Sequence, residues 1–134
     1  MSQANVDLIR AIYDAFAAGD VPGVLGRLDP AIEWHEAENF PYADNSPYIG
    51  PEAVAQGVFL RCATEWDGFG VQVDEIVDGG DTVIALGRYV GTYKATGKTQ
   101  HTQMAHVWRI ADGRAMGFQQ YADTLAVARV IGTA

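Results

Sequence analysis

The chain has 134 residues, 49% of them apolar, and carries a formal net charge of -8. That length supports one ordinary domain, residues 1–134, able to bury roughly two thirds of its unfolded surface without staples. An acidic chain with nine scattered Lys and Arg has no basic face for phosphate, which excludes nucleic acid; its single cysteine, Cys62, excludes an internal disulfide framework and fits a reducing cytoplasm.

In chain order, residues 5–18 place Val6, Ile9, Tyr13, Phe16 and Ala17 at helical spacing, which predicts an amphipathic helix ended by Gly19. Asp20 is the expected N-cap of a short second helix that buries Val21, Val24, Leu25 and Leu28 and stops at Asp29-Pro30. The first sixteen residues mix charges with apolar side chains and so lack the core of a signal peptide. No stretch approaches the roughly 18 apolar residues of a membrane span. The segment AIEWHEAENFPYADNSPYIGP, residues 31–51, then crowds acids, aromatics and a histidine into a strand and a long loop. Gly50-Pro51 opens a third helix, residues 51–66, with Val54, Val58, Leu60, Cys62 and Trp66 as its apolar surface and Gly57 as a weak point.

Beyond it the period changes to two. FGVQVDEIV, TVIALGRYVGTYK, TQHTQMAHVWRI and AMGFQQYA read as four long strands joined by short Gly-containing turns, hence an antiparallel meander. Asp123 is the expected cap of a last helix, TLAVARVI. The order is that of an α+β domain whose helices cover one face of a curved antiparallel sheet.

These residues also resemble a known family. Tyr13-Asp14-Ala15-Phe16 with Gly19-Asp20, Ile32-Glu33-Trp34, Tyr48-Ile49-Gly50-Pro51-Glu52-Ala53-Val54, Gly97-Lys98, His106-Val107-Trp108-Arg109-Ile110, Asp112-Gly113 and Tyr121-Ala122-Asp123 together look like the SnoaL-like branch of the nuclear transport factor 2-like superfamily. The resemblance implies a cone-shaped sheet wrapped over three N-terminal helices, a pocket at its wide end, and often a homodimer through the outer sheet face. It implies no single activity, because the fold hosts isomerases, cyclases, dehydratases, epoxide hydrolases and binders. Ketosteroid isomerase, a relative within the superfamily, uses an Asp base with a Tyr and a protonated Asp as electrophile. By this resemblance, counting from Gly19-Asp20 puts the base near His35 or Glu36, aligning the helix ends puts the Tyr near Ile12 with Tyr13 one residue away, and the acid, which directly precedes the His of the matching strand, falls on Ala105. Without that acid, the isomerase's own chemistry is not expected.

Strand parity supplies the remaining expectations. With Ala105 taken as inward, His101, Gln103 and Val107 share its face, and Met104, His106 and Trp108 point outward. Phe118, Gln120 and Ala122 point inward on the last strand. His35 is the candidate general base, because an imidazole near its reference pKa of about 6.5 accepts a proton at neutral pH. Glu33 shares its face, Trp34 is assigned to the core, and Tyr13, Tyr48, Arg88, Gln103, Phe118 and Gln120 are candidate ligand contacts. Tyr42 and Tyr48 sit in a loop, residues 37–50, long and aromatic enough for a lid. Arg88, if inward, meets a carboxylate such as Glu33 or Glu36 or an anionic ligand, and, if outward, is a solvated or dimer-interface charge. The Asp-Arg-Asp set that the resemblance implies for epoxide hydrolases is missing, since Leu86 and Val90 stand two residues from it.

The histidines lack metal-ligand spacing, so neither metal nor cofactor is expected. ATGKT, residues 95–99, is read as a turn between strands and not as a phosphate loop. The functional expectation is a pocket for a hydrophobic carbonyl-type small molecule, serving proton-transfer isomerisation, cyclisation or dehydration with His35 as base, or else binding alone. A homodimer is expected through outward Met104, Trp108 and Tyr121.

Overall fold

Six strands and five α-helices build the protein, seen here in a computed structural model that describes residues 2–134. Helix α1 (Gln3–Ala17) begins where the Ser2 side chain accepts the Asn5 amide, and α2 (Val21–Leu25) where Asp20 accepts that of Gly23. Both are short polar acceptors at the position where helix amides have no partner of their own. Strand β1 (Leu28–His35) follows, then a 3₁₀ turn (Pro41–Asn45) and the two-residue β2 (Tyr48–Ile49). The third helical stretch is α3 (Pro51–Val54), a π-helical turn (Ala55–Phe59) and α4 (Leu60–Glu65). Strands β3 (Trp66–Gly79), β4 (Thr82–Tyr93), β5 (Thr99–Ala111) and β6 (Arg114–Ala122) form the meander, and α5 (Thr124–Ile131) closes the chain under an Asp123 cap.

The sheet runs β2-β1-β6-β5-β4-β3, curved and unclosed. It is antiparallel except at one seam, where β1 lies parallel to β6. The sheet is thus mixed, which the expectation of an antiparallel sheet did not include. The reason is topological: β1 joins the meander beside its last strand, β6, and runs in the same direction. Helices cover the concave face, so the core lies between them and the inward side chains of every strand.

Four expectations about side chains are corrected here. On β5 the buried residues are Gln100, Thr102, Met104, His106, Trp108 and Ile110, while His101 and Gln103 are exposed. The face is therefore the opposite of the one assigned. Register explains this: His106 pairs with Gln120 and Trp108 with Phe118, and directly opposed residues share a face. Met104 and Trp108 are buried and cannot form an outer dimer surface; only Tyr121 of the three is exposed. Leu60 is exposed rather than packed, and so is Val21. The second helix ends earlier than expected, with Leu28 and Pro30 already in β1.

Gly57 lies at the middle of the π-helical turn, against the ring of Tyr48. A Cβ at position 57 would lie 2.1 Å from Tyr48 Cε1 and 2.7 Å from Cδ1, inside the ring rather than at its tip. Gly57→Ala is therefore expected to cost about 1–3 kcal/mol through overpacking. Hydrogen exchange should quicken over residues 41–48, whose backbone the Tyr48 hydroxyl holds; unchanged exchange there would contradict the packing role.

Candidate active site

The inner cavity is walled mainly by aromatic and aliphatic side chains, including all five phenylalanines of the chain. Its volume is about 50 Å³, well below the roughly 300 Å³ at which small-molecule pockets begin. Trp34 stacks on Phe118 with ring centroids 3.7 Å apart, and Trp108 meets both edge-on. Such walls exclude water and lower the local dielectric, so any charge placed among them is costly.

Four polar groups nevertheless reach the wall from the sheet: Glu36, Tyr89, His106 and Gln120. Glu36 continues the alternation Ile32-Trp34-Glu36, whose members are buried, just past the end of β1. The Trp34 indole donates to Glu36 Oε2 at 3.2 Å, and the Glu36 amide donates to Ser46 Oγ at 3.0 Å. Glu36 Oε1 is buried and has no hydrogen-bond partner. Burial raises the carboxyl to a pKa of about 7, against weaker lowering by Trp34 and the Arg61 charge.

The other polar groups form one chain of hydrogen bonds. The Ala37 amide donates to Gln120 Oε1 at 3.0 Å, and Gln120 Nε2 donates to the Tyr89 hydroxyl at 2.7 Å. Tyr89 meets His106 Nε2 at 2.5 Å, and His106 Nδ1 meets the Tyr13 hydroxyl at 2.6 Å. Trp108 Nε1 closes the chain with a 3.0 Å bond to Tyr13. Burial pushes His106 down to about 3, so its ring is neutral at physiological pH. Burial raises both tyrosine hydroxyls, so they too are neutral, as hydrogen-bond donors must be.

One side of this site is walled by the loop of residues 37–50, in the place expected of a lid. Phe40 and Tyr42 enter the cavity from the loop of residues 37–50. The Tyr42 hydroxyl donates to Glu65 at 2.6 Å and accepts from Trp66 Nε1 at 2.9 Å. Arg61 lies over the Tyr42 ring, 4.3 Å from its centroid, and grips Asp44 with bonds of 2.8 and 3.0 Å. That guanidinium holds the Asp44 carboxyl below its ordinary value. Tyr48 is buried beneath the lid, its hydroxyl donating to the Tyr42 carbonyl at 2.6 Å.

Of the residues expected at the site, Tyr13, Phe118 and Gln120 line the cavity. Tyr48 supports the lid without lining the cavity. The others lie outside it. His35 and Glu33 stand on the outer sheet face, their side chains 43% and 66% exposed and 3.8 Å apart, because β1 turns Ile32 and Trp34 inward. They border a shallow outer concavity of about 420 Å³. Arg88 also points outward, donating to the His101 carbonyl at 3.2 Å, while its neighbour Tyr89 points in. Gln103 is exposed.

Sequence reasoning thus chose His35 over Glu36 of the two positions that the resemblance gave for the base, and missed Tyr89 and His106 as cavity groups. The signal was present: Ile32-Trp34-Glu36 and Met104-His106-Trp108-Ile110 are the bulkier, more apolar members of their alternations. Among the described residues, no group of three His, Cys, Asp or Glu side chains could hold a metal ion. No helix there is long and apolar enough to cross a membrane.

Comparison with known proteins agrees with this architecture. An NTF2-like protein from Burkholderia thailandensis superposes with a TM-score of 0.91 at 38% identity, covering 98% of each chain. TerC, co-crystallised with polyporic acid, gives a TM-score of 0.86 at 24% identity, covering 97% of this chain and 99% of its own. A Jannaschia protein described as a SnoaL-like polyketide cyclase gives 0.82 at 19% identity, covering 100% of this chain and 97% of its own. No curated protein sequence matches the chain. The SnoaL-like domain matches residues 9–117, most of the chain and nearly all of the cavity wall, and the protein belongs to that family.

Proposed function

We propose that the protein is a small-molecule enzyme of the cyclase or isomerase type, moving a proton on a carbonyl-bearing substrate with Glu36 as general base. The observation that carries this reading is the free Oε1 of Glu36, buried in an aromatic cavity with its carboxyl poised at about 7. A base with that proton affinity is partly ionised at neutral pH and strong enough to take a proton from carbon beside a carbonyl. The same cavity holds tyrosine hydroxyls, neutral donors suited to the charge that develops on the carbonyl oxygen. The role assigned to His35 passes to Glu36, because His35 stands outside the cavity.

The volume of about 50 Å³ means that substrate binding needs the lid to move. For the loop to move, the partly exposed, bidentate Arg61–Asp44 pair and the Tyr42 bonds to Glu65 and Trp66 must part. The description of the Jannaschia relative as a polyketide cyclase supports the same reaction class. A homodimer through the outer sheet face belongs to this reading too, with exposed Tyr121 as its remaining support.

The test is exchange of α-protons of small cyclic ketones in D₂O, followed by proton NMR. The wild type is expected to accelerate exchange and Glu36→Gln to lose that acceleration, whereas His35→Ala keeps it. Equal rates in wild type and Glu36→Gln would remove Glu36 as the base.

A further inference from the structure

The protons of the Tyr13–His106–Tyr89 chain can be counted. A backbone amide only donates, so Gln120 turns its oxygen to Ala37 and its NH₂ to Tyr89. An indole also only donates, so Trp108 donates to Tyr13. Each tyrosine oxygen therefore already accepts one bond. Between them lies a neutral imidazole, with one nitrogen carrying a proton and one bare. One tyrosine donates to the bare nitrogen and the other accepts from the N–H. The tyrosine that accepts has its own proton left over, and both hydroxyls belong to residues of the cavity wall.

Two asymmetries decide which proton is spare. Gln120 ties the Tyr89 hydroxyl to the backbone at Ala37, the residue next to Glu36, whereas Trp108 holds Tyr13 at the far end of the chain. Burial is the largest influence on both hydroxyls, and of the two only Tyr89 also feels the Glu36 charge through space. A negative carboxylate favours the arrangement in which the nearer hydroxyl turns its proton toward it.

We infer that His106 carries its proton on Nε2 and donates it to Tyr89, so that the Tyr89 hydroxyl proton is the one presented to the cavity as the donor for a ligand oxygen. Tyr13 then donates to Nδ1 and serves only to hold the ring. His106 acts through Tyr89 and is a positioning residue. The inference rests on the proton-transfer reading and specifies its substrate class: a carbonyl or enol oxygen for Tyr89 beside an acidic C–H for Glu36. It also supplies an electrophile that does not depend on an acid at position 105.

Nitrogen-15 NMR of the full chain with labelled histidine tests this without substrate. The His106 signal is assigned as the one remaining in the double variant His35→Ala, His101→Ala. The expected spectrum shows a proton on Nε2 and a bare Nδ1. Tyr13→Phe is expected to keep that tautomer, and Tyr89→Phe to move the proton to Nδ1, where the Tyr13 oxygen accepts it. A proton on Nδ1 in the wild type, or on both nitrogens, would overturn the inference, and the wild-type spectrum decides even if a tyrosine variant fails to fold. Because no turnover is measured, that result would leave Glu36 as base, and an inactive Glu36 would leave the tautomer standing.

Discussion

Glu36→Gln is expected to lower proton-transfer turnover by about 10²–10⁴-fold, the usual worth of a positioned base, and to make the protein more stable at pH 8. The two effects have one cause. In the fold the carboxyl sits at about 7 because burial penalises its charged form; its reference value is 4.5. The folded state therefore holds the proton more tightly than the unfolded state does. The stability linked to that proton is fully present below about pH 4.5 and is lost as pH rises through about 7. The gap between the two values corresponds to about 3 kcal/mol lost once the pH is well above 7. Glutamine has nearly the same shape, keeps an oxygen for the Trp34 indole and never ionises. Urea denaturation at pH 5 and pH 8 checks this. The wild type should lose stability between the two and the variant should not; parallel behaviour would show that the carboxyl is not buried in its charged form. Activity should rise with pH through about 7 as the base ionises, so the protein is expected to be most active where Glu36 stabilises it least.

Gly87→Ala is the second large effect, and it acts through the sheet. Gly87 lies in β4 opposite Val73 and Met104, beside the bulge that β3 makes between Val73 and Glu75. A Cβ there would fall 1.8 Å from the Gln72 carbonyl oxygen, 2.9 Å from its carbon and 3.1 Å from Val73 Cα. All three are backbone atoms, so no side chain can swing aside. The strands would have to separate, breaking the pairing that carries Tyr89, two residues on, over the cavity. The expected cost is about 4 kcal/mol or more, a large share of the 5–15 kcal/mol that holds a typical domain together. Thermal denaturation followed by circular dichroism should show a midpoint far below that of the wild type, or no cooperative transition. A midpoint within a few degrees of the wild type would mean that β3 and β4 approach less closely than they do in this structure.

Much of the architecture could be read locally. Asp20 and Asp123 cap the helices they were expected to cap, and the final helix spans TLAVARVI as its pattern implied. The four strands of the meander follow their period-two runs to within a few residues. Caps, turns and periodicity depend on neighbours along the chain, and those are visible in any sequence. The site was less legible. A period of two says that Glu33 and His35 share one face, and Trp34 and Glu36 the other. It does not say which face meets the helices. For β5, anchoring on Ala105 turned the whole strand over, although Met104, His106, Trp108 and Ile110 already formed its bulky face.

The sequence by itself determined the family, the α+β order of elements and the identity of the groups able to do chemistry. Tertiary structure alone decided which of those groups meet. The pairings of His106 with Gln120 and of Tyr89 with Thr102, made across two hairpins, bring His106, Tyr89 and Gln120 to one wall, and the parallel seam between β1 and β6 brings Glu36 beside them. The acidity of a carboxyl and the tautomer of an imidazole depend on what surrounds them in space. For Glu36 and His106 those surroundings come from strands and helices distant in the chain, and only the fold assembles them.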